Sequence, residues 1–170
     1  MQKASFLQGS LQSHKTLPVI ALLVLVLDQL TKLWIDVSLS LGESWPHDGF
    51  LRFTHRNNEG IVFGFSAPYA LTVALPIIVL GASAYLAYRY SLLRTGMLAV
   101  AVGLFIGGNL GNLIDRIRLG YVTDFIDFNL WGDYHWPAFN IADLAIVIAV
   151  ILIVVYLLRS VLSPAHRTWK

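Results

Sequence analysis

Four long apolar runs constrain this chain more than any other feature of its sequence. They lie at about residues 17–35, 67–88, 96–114 and 138–158. A helix needs about 20 such residues to cross the hydrocarbon of a bilayer. Lipid offers no water to unpaired backbone groups, so runs of this length are read as helices and not as strands of an open sheet. The composition agrees, with 56% hydrophobic and 13% charged residues, where soluble chains carry about 25% charged. The expected fold class is an all-α membrane protein with four transmembrane helices and a small extracytoplasmic β/loop subdomain. Residues 1–170 then form a single membrane-embedded domain.

The net charge of +2 says little, but its distribution orients the chain. Lys3 and Lys15, Arg89 and Arg94, and Arg159, Arg167 and Lys170 cluster in three places that hold no acidic residue. The positive-inside rule puts those segments in the cytoplasm. Both termini are then cytoplasmic, residues 1–16 are a loose tail, and 36–66 and 115–137 are the outer segments. In the first outer segment, the alternation of Leu51 to Arg56 predicts a short strand, and Asn58-Glu59-Gly60 predicts a turn. In the second, Trp131, Tyr134, Trp136 and Pro137 suit a membrane interface. The first run is not read as a cleaved signal peptide, because no small-residue cleavage site follows it and Asp28 to Lys32 are polar.

Several function classes drop out. No basic patch accompanies a soluble fold, so no nucleic-acid partner is expected. The chain has no cysteine, which removes disulfides, thiolate nucleophiles and Cys-based metal sites. Its five histidines are scattered, and no metal or cofactor is expected.

Polar residues converge instead at one depth. Asp28 and Lys32 fall in the outer half of the first helix. Asn109, Asn112, Asp115 and Arg116 fall at the outer end of the third, and Asn140 and Asp143 at the start of the fourth. At ~1.5 Å per residue, Asp143 stands roughly 8 Å below the start of a helix that begins at Ala138. Most of these residues have a plain structural reading. Asp28 and Lys32 make an i, i+4 ion pair, and asparagines glue helices together. Gly103, Gly107, Gly108 and Gly111 let helices approach closely, and Arg116 anchors at the interface. Asp143 resists such a reading. A carboxylate inside a membrane helix costs about 2.5–3.5 kcal/mol, and no basic residue lies within its own turns. A second carboxylate within reach would share one proton with it and activate water. Asp124, Asp127 and Asp133 all compete for that role, and spacing does not choose among them. A small transporter or proton relay is the alternative, but it calls for polar residues through the inner half as well. A serine protease would need a converging Ser, His and Asp set, and only Ser66 lies near this level.

Five segments together resemble the lipoprotein signal peptidase, or signal peptidase II, family. They are Asp28-Gln29-Leu30-Thr31-Lys32, Asn58-Glu59-Gly60-Ile61-Val62-Phe63, Gly107 to Arg116, Val122-Thr123-Asp124-Phe125, and Trp136 to Asp143. Ile61 stands where that family commonly has alanine. The resemblance implies a monomeric aspartic endopeptidase of the bacterial inner membrane, surrounded by lipid, with its site at the outer leaflet. Its substrates would be diacylglyceryl-modified prolipoproteins, cut just before the lipidated cysteine. The family's catalytic pair falls on Asp124 and Asp143, one ionised and one protonated. Asn58, Gly60, Asn112, Arg116 and Asn140 would shape or contact the substrate pocket, supported by Asp28 and Lys32. The outer loop from Gly42 to Ser66 would clamp the substrate.

Overall fold

The chain runs through α1 (Gln2–Ser38), β1 (Ser44–Trp45), β2 (Leu51–Asn58), α2 (Tyr69–Arg89), α3 (Gly96–Leu119), β3 (Val122–Trp131), β4 (Tyr134–His135) and α4 (Ile141–Leu162). The computed structural model describes residues 2–60, 68–89, 96–132 and 134–162. Each helix contains a stretch long and apolar enough to cross a membrane: Lys15–Ser38, Tyr69–Leu86, Gly96–Leu119 and Ile141–Leu162. The outward leucines of α1, among them Leu22, Leu27, Leu30 and Leu33, are more than half exposed, as a lipid-facing surface requires.

Two boundaries differ from the sequence expectation in ways that matter. The loose tail expected over residues 1–16 is instead helical from Gln2, because extending an existing helix needs no new nucleus. The fourth helix starts at Ile141, not Ala138. Phe139 pairs with β3 instead: its N–H donates to Ile126 O at 3.1 Å, and its carbonyl accepts from Ile126 N–H at 2.8 Å.

α3 is the central helix, and its glycines set how near its neighbours come. A Cβ on Gly107 would stand 2.6 Å from Ala21 O of α1, and one on Gly108 would stand 2.5 Å from Ala142 O of α4. A Cβ on Gly111 would collide with the Asp28 carboxylate. The small-residue stripe thus brings α1 and α4 side by side against neighbouring faces of α3 at backbone contact, with Gly111 between Asp28 and Ala142. Ala142, Ala145 and Ala149 complete the α4 side and are buried.

The sheet is antiparallel throughout, in the order β1-β2-β3-β4. α3 ends where Gly120 adopts φ +85° and its N–H bonds Arg116 O at 3.1 Å, a left-handed cap. The chain then turns directly into β3. β2 extends to Asn58 and pairs Arg56 with Asp124 and Arg52 with Asp127 across a bulge. Trp34 of α1 packs edge-on to Phe53 of β2, with ring centroids 5.6 Å apart. The Asp36 carboxylate of α1 accepts from Thr123 Oγ1 at 3.3 Å and faces His55 Nε2 at 3.3 Å. The sheet is therefore fastened to the end of α1, over the ends of α3 and α4 that carry the polar residues.

Candidate active site

Asp124 lies on β3, four residues past the capping Gly120, and not in a loop. Its carboxylate is buried, with 3% exposure. Asn140 Nδ2 donates to its Oδ1 at 2.7 Å, and Asn58 Nδ2 donates to its Oδ2 at 2.8 Å. The Phe139 pairing puts Asn140 beside this strand. The β2 register brings in Asn58, whose own Oδ1 is held by the Gly60 N–H at 2.9 Å.

Asp143 sits in the first turn of α4, half-buried. Because the helix starts late, Asp143 lies only about 5 Å along its axis from Asn140, at 1.5 Å per residue. Asn140 is the N-cap. Its Oδ1 accepts the Asp143 N–H at 2.9 Å, and its own N–H donates to Asp143 Oδ2 at 3.3 Å. This reciprocal pair has the logic of a capping box, with Asn and Asp in place of Ser and Glu. A carboxylate in a first turn also faces the positive end of the helix dipole, which reduces the burden of a charge there. Asn112 Nδ2 of α3 donates to Asp143 Oδ1 at 2.8 Å. Every oxygen of the two carboxylates thus receives one amide donor.

Asp143 acts electrostatically on Asp124. Burial, and then the charge of Asp143, push the Asp124 carboxyl up to about 7, against the Asn58 and Asn140 hydrogen bonds that pull it down. Arg116 feels the charges of Asp143, Asp124 and Asp115. It anchors the turn after β2 by donating from Nη2 to Gly60 O at 3.0 Å.

Beneath the pair, Asp28 and Lys32 form the predicted i, i+4 ion pair at 2.8 Å, both buried. Lys32 Nζ also reaches Asp115 Oδ2 at 2.8 Å and Asn112 Oδ1 at 2.9 Å. Asp28 Oδ1 accepts the Ala142 N–H of α4 at 2.9 Å, so it caps a second helix as well as pairing on its own. All the sequence-selected residues, Asp28, Lys32, Asn58, Gly60, Asn112, Arg116, Asp124, Asn140 and Asp143, fall in one connected network. Asp115, which the sequence puts at this level without a site role, joins it together with Gln29: Gln29 Nε2 donates to Asp115 Oδ1 at 2.9 Å. Asn109 does not, since its amide turns back to Phe105 O at 2.8 Å.

Asp127 is occupied elsewhere. It is fully buried between Arg52, at 2.6 Å, Thr54 and His135. Burial alone would raise its carboxyl, but hydrogen bonds from Arg52 and His135 hold it below the usual range. Three residues from Asp124 on a strand, it points to the opposite face. Asp133, Ser66 and Ile61 to Phe63 lie outside the described residues, as do Arg94, Arg167 and Lys170. Among the described residues, no three His, Cys, Asp or Glu side chains are grouped to hold a metal ion.

Four membrane-length helices under a small sheet, with two carboxylates meeting among amide donors, define a polytopic membrane protein with the makings of an aspartic hydrolase. The family model described as signal peptidase (SPase) II matches residues 20–159, and the chain belongs to that peptidase family. It is 43% identical to a lipoprotein signal peptidase of Geobacter sulfurreducens, over 80% of this chain and 87% of that one. It is 40% identical to one of Halothermothrix orenii, over 82% and 92%. Two solved structures of bacterial membrane enzymes superpose on it. One has a TM-score of 0.77 and 36% identity, covering 89% of this chain and 93% of that one. The other has a TM-score of 0.72 and 37% identity, covering 83% and 91%.

Proposed function

We propose that this protein removes signal peptides from diacylglyceryl-modified prolipoproteins, cutting before the lipidated cysteine, with Asp124 and Asp143 as its catalytic pair. The carrying observation is the convergence of these two carboxylates under four amide donors. Charge supports a shared proton. Two cations, Lys32 and Arg116, stand among four carboxylates, Asp28, Asp115, Asp124 and Asp143, so one proton on the pair reduces a negative surplus.

Asp124, raised to about 7, holds that proton. Asp143 takes a proton from a water molecule as its oxygen attacks the scissile carbonyl carbon. The Asp124 proton passes to the carbonyl oxygen, giving a neutral tetrahedral diol. Collapse breaks the C–N bond: the leaving nitrogen takes the proton from Asp143, and one diol hydroxyl returns a proton to Asp124. The pair ends with the single proton it began with.

The proposed orientation has both termini in the cytoplasm and the pair at the outer leaflet. Arg89 in the last turn of α2 and Arg159 in that of α4 support it, since both lie at the ends away from the sheet. The apolar lower halves of the helices leave the substrate's acyl chains in lipid while its peptide bond reaches the pair.

The test is cleavage of a diacylglyceryl-modified prolipoprotein by purified protein in detergent, beside Asp124→Asn and Asp143→Asn. Cleavage before the modified cysteine, lost in both folded variants, is the expected result. Substantial turnover by either variant would refute the pair.

A further inference from the structure

We propose that Lys32 is a positioning residue for Asp143, acting through the side-chain amide of Asn112. This rests on the proposed catalytic pair. Lys32 is buried and its ammonium has three protons. Asp28 Oδ2 at 2.8 Å and Asn112 Oδ1 at 2.9 Å face it, and Asp115 Oδ2 stands at 2.8 Å as an ion-pair contact without hydrogen-bond alignment. The two carboxylates account for its charge. The Asn112 contact has a different consequence.

An ammonium only donates, so the atom that Asn112 turns toward Lys32 must be its oxygen. The amide is planar, and its NH2 is thereby sent the other way, to Asp143 Oδ1 at 2.8 Å. Rotating the amide by half a turn would set its oxygen against the Asp143 carboxylate and leave the ammonium facing an NH2 group. Asn140 Nδ2 also approaches Asn112 Oδ1, at 3.2 Å, but that NH2 has two protons for three acceptors. Its shorter bond goes to Asp124 at 2.7 Å, and Thr123 O lies at 3.3 Å. Lys32 is therefore the firm hold on the orientation of Asn112. Through Asn112 it sets where the Asp143 carboxylate stands and which of its oxygens is left to the water.

A purely structural role predicts something else. If Lys32 only neutralised Asp28 and Asp115, its removal would weaken the fold without depending on Asn112. A double-mutant cycle separates the two. Lys32→Met is made together with Asp115→Asn, which removes one cation and one anion and keeps the local charge. It is compared with Asp115→Asn alone, on Asn112 and Asn112→Ala backgrounds. The readouts are kcat and KM on a diacylglyceryl-modified prolipoprotein, with thermal unfolding in detergent to establish folding.

On the Asn112 background kcat should fall by about tenfold to a hundredfold with KM within about twofold, the pattern of a misplaced catalytic group. On the Asn112→Ala background the same change should cost nothing further. Losses that multiply, or an unchanged kcat, would overturn the proposal. Should the double variant not fold, Lys32→Arg keeps the cation between both carboxylates while its planar head moves the donor from Asn112. A wild-type kcat there would overturn the proposal too; a kcat loss that vanishes on Asn112→Ala would support it. If the wild type itself does not cleave, the catalytic reading fails; if it cleaves and the cycle is additive, only the Lys32 relay fails.

Discussion

Asp124→Asn should abolish cleavage and at the same time make the protein more stable at neutral pH. Asp124 is buried with 3% exposure, and its carboxyl is raised from 3.8 to about 7 by burial and by Asp143. The sign follows from proton linkage. The folded state holds this proton over a range where the unfolded chain has released it. The contribution to stability is complete below about pH 3.8 and is lost as pH rises through about 7. A shift of about three units at 1.36 kcal/mol each makes that loss about 4 kcal/mol. Asparagine removes this titration, but both groups on Asp124, Asn58 Nδ2 and Asn140 Nδ2, are donors, so the new NH2 faces one of them and that hydrogen bond is lost at every pH, at a cost of about 1–3 kcal/mol. The variant should therefore fall below the wild type near pH 4 by about 1–3 kcal/mol and gain on it by about 4 kcal/mol up to about pH 7.5, where it is the more stable. At roughly 2–4 °C per kcal/mol for a chain of this size, its melting temperature should gain about 10 °C on that of the wild type between those pH values. Thermal unfolding of both proteins in one detergent, at pH 4.5 and pH 7.5, reads this directly. A variant destabilised equally at both pH values would refute the reasoning, because the carboxylate would then be stabilised where it lies.

Other expectations follow from the same geometry. Prolipoprotein cleavage should decline as pH rises through about 7, where Asp124 gives up the shared proton, and a rate still climbing at pH 9 would contradict the assignment of that proton. Asn140→Ser keeps a side-chain oxygen for the α4 N-cap, so stability should change by less than about 1 kcal/mol. It loses the donor to Asp124, which holds the shared proton, and initial-rate assays should find roughly twofold to tenfold less activity, the value of one neutral hydrogen bond. Gly107→Ala would put a methyl group 2.6 Å from the Ala21 carbonyl and 2.9 Å from Val24 Cβ, so unfolding measurements should show a loss of about 1–3 kcal/mol from forcing α1 off α3.

Much of this protein is legible in its amino-acid sequence. Hydrocarbon length and backbone satisfaction make the four helices almost unavoidable once the apolar runs exist. The pairing of Asp28 with Lys32 follows from helical periodicity, and the packing of Gly103, Gly107 and Gly111 follows from the need for close approach. Individual residues escaped where the decisive partner is distant in the chain. β3 is not legible in the sequence because its apolar alternation is interrupted by Asp124 and Asp127, whose partners come from β2 and from the segment before α4. The three-residue spacing of Asn140 and Asp143 acts as a cap only because the pairing of Phe139 with Ile126 moves the helix start to Ile141.

The sequence by itself determined the class of fold, the depth of the polar level and the residue types gathered there, because these depend on local periodicity and on solvation by lipid. The resemblance already implied Asp124 as the partner of Asp143, but the physical reason Asp124 and not Asp127 meets it comes only from the tertiary structure. Asp124 and Asp127 are alike in composition and neighbours, and a strand turns them to opposite faces, one toward Asn140 and the other toward Arg52 and His135.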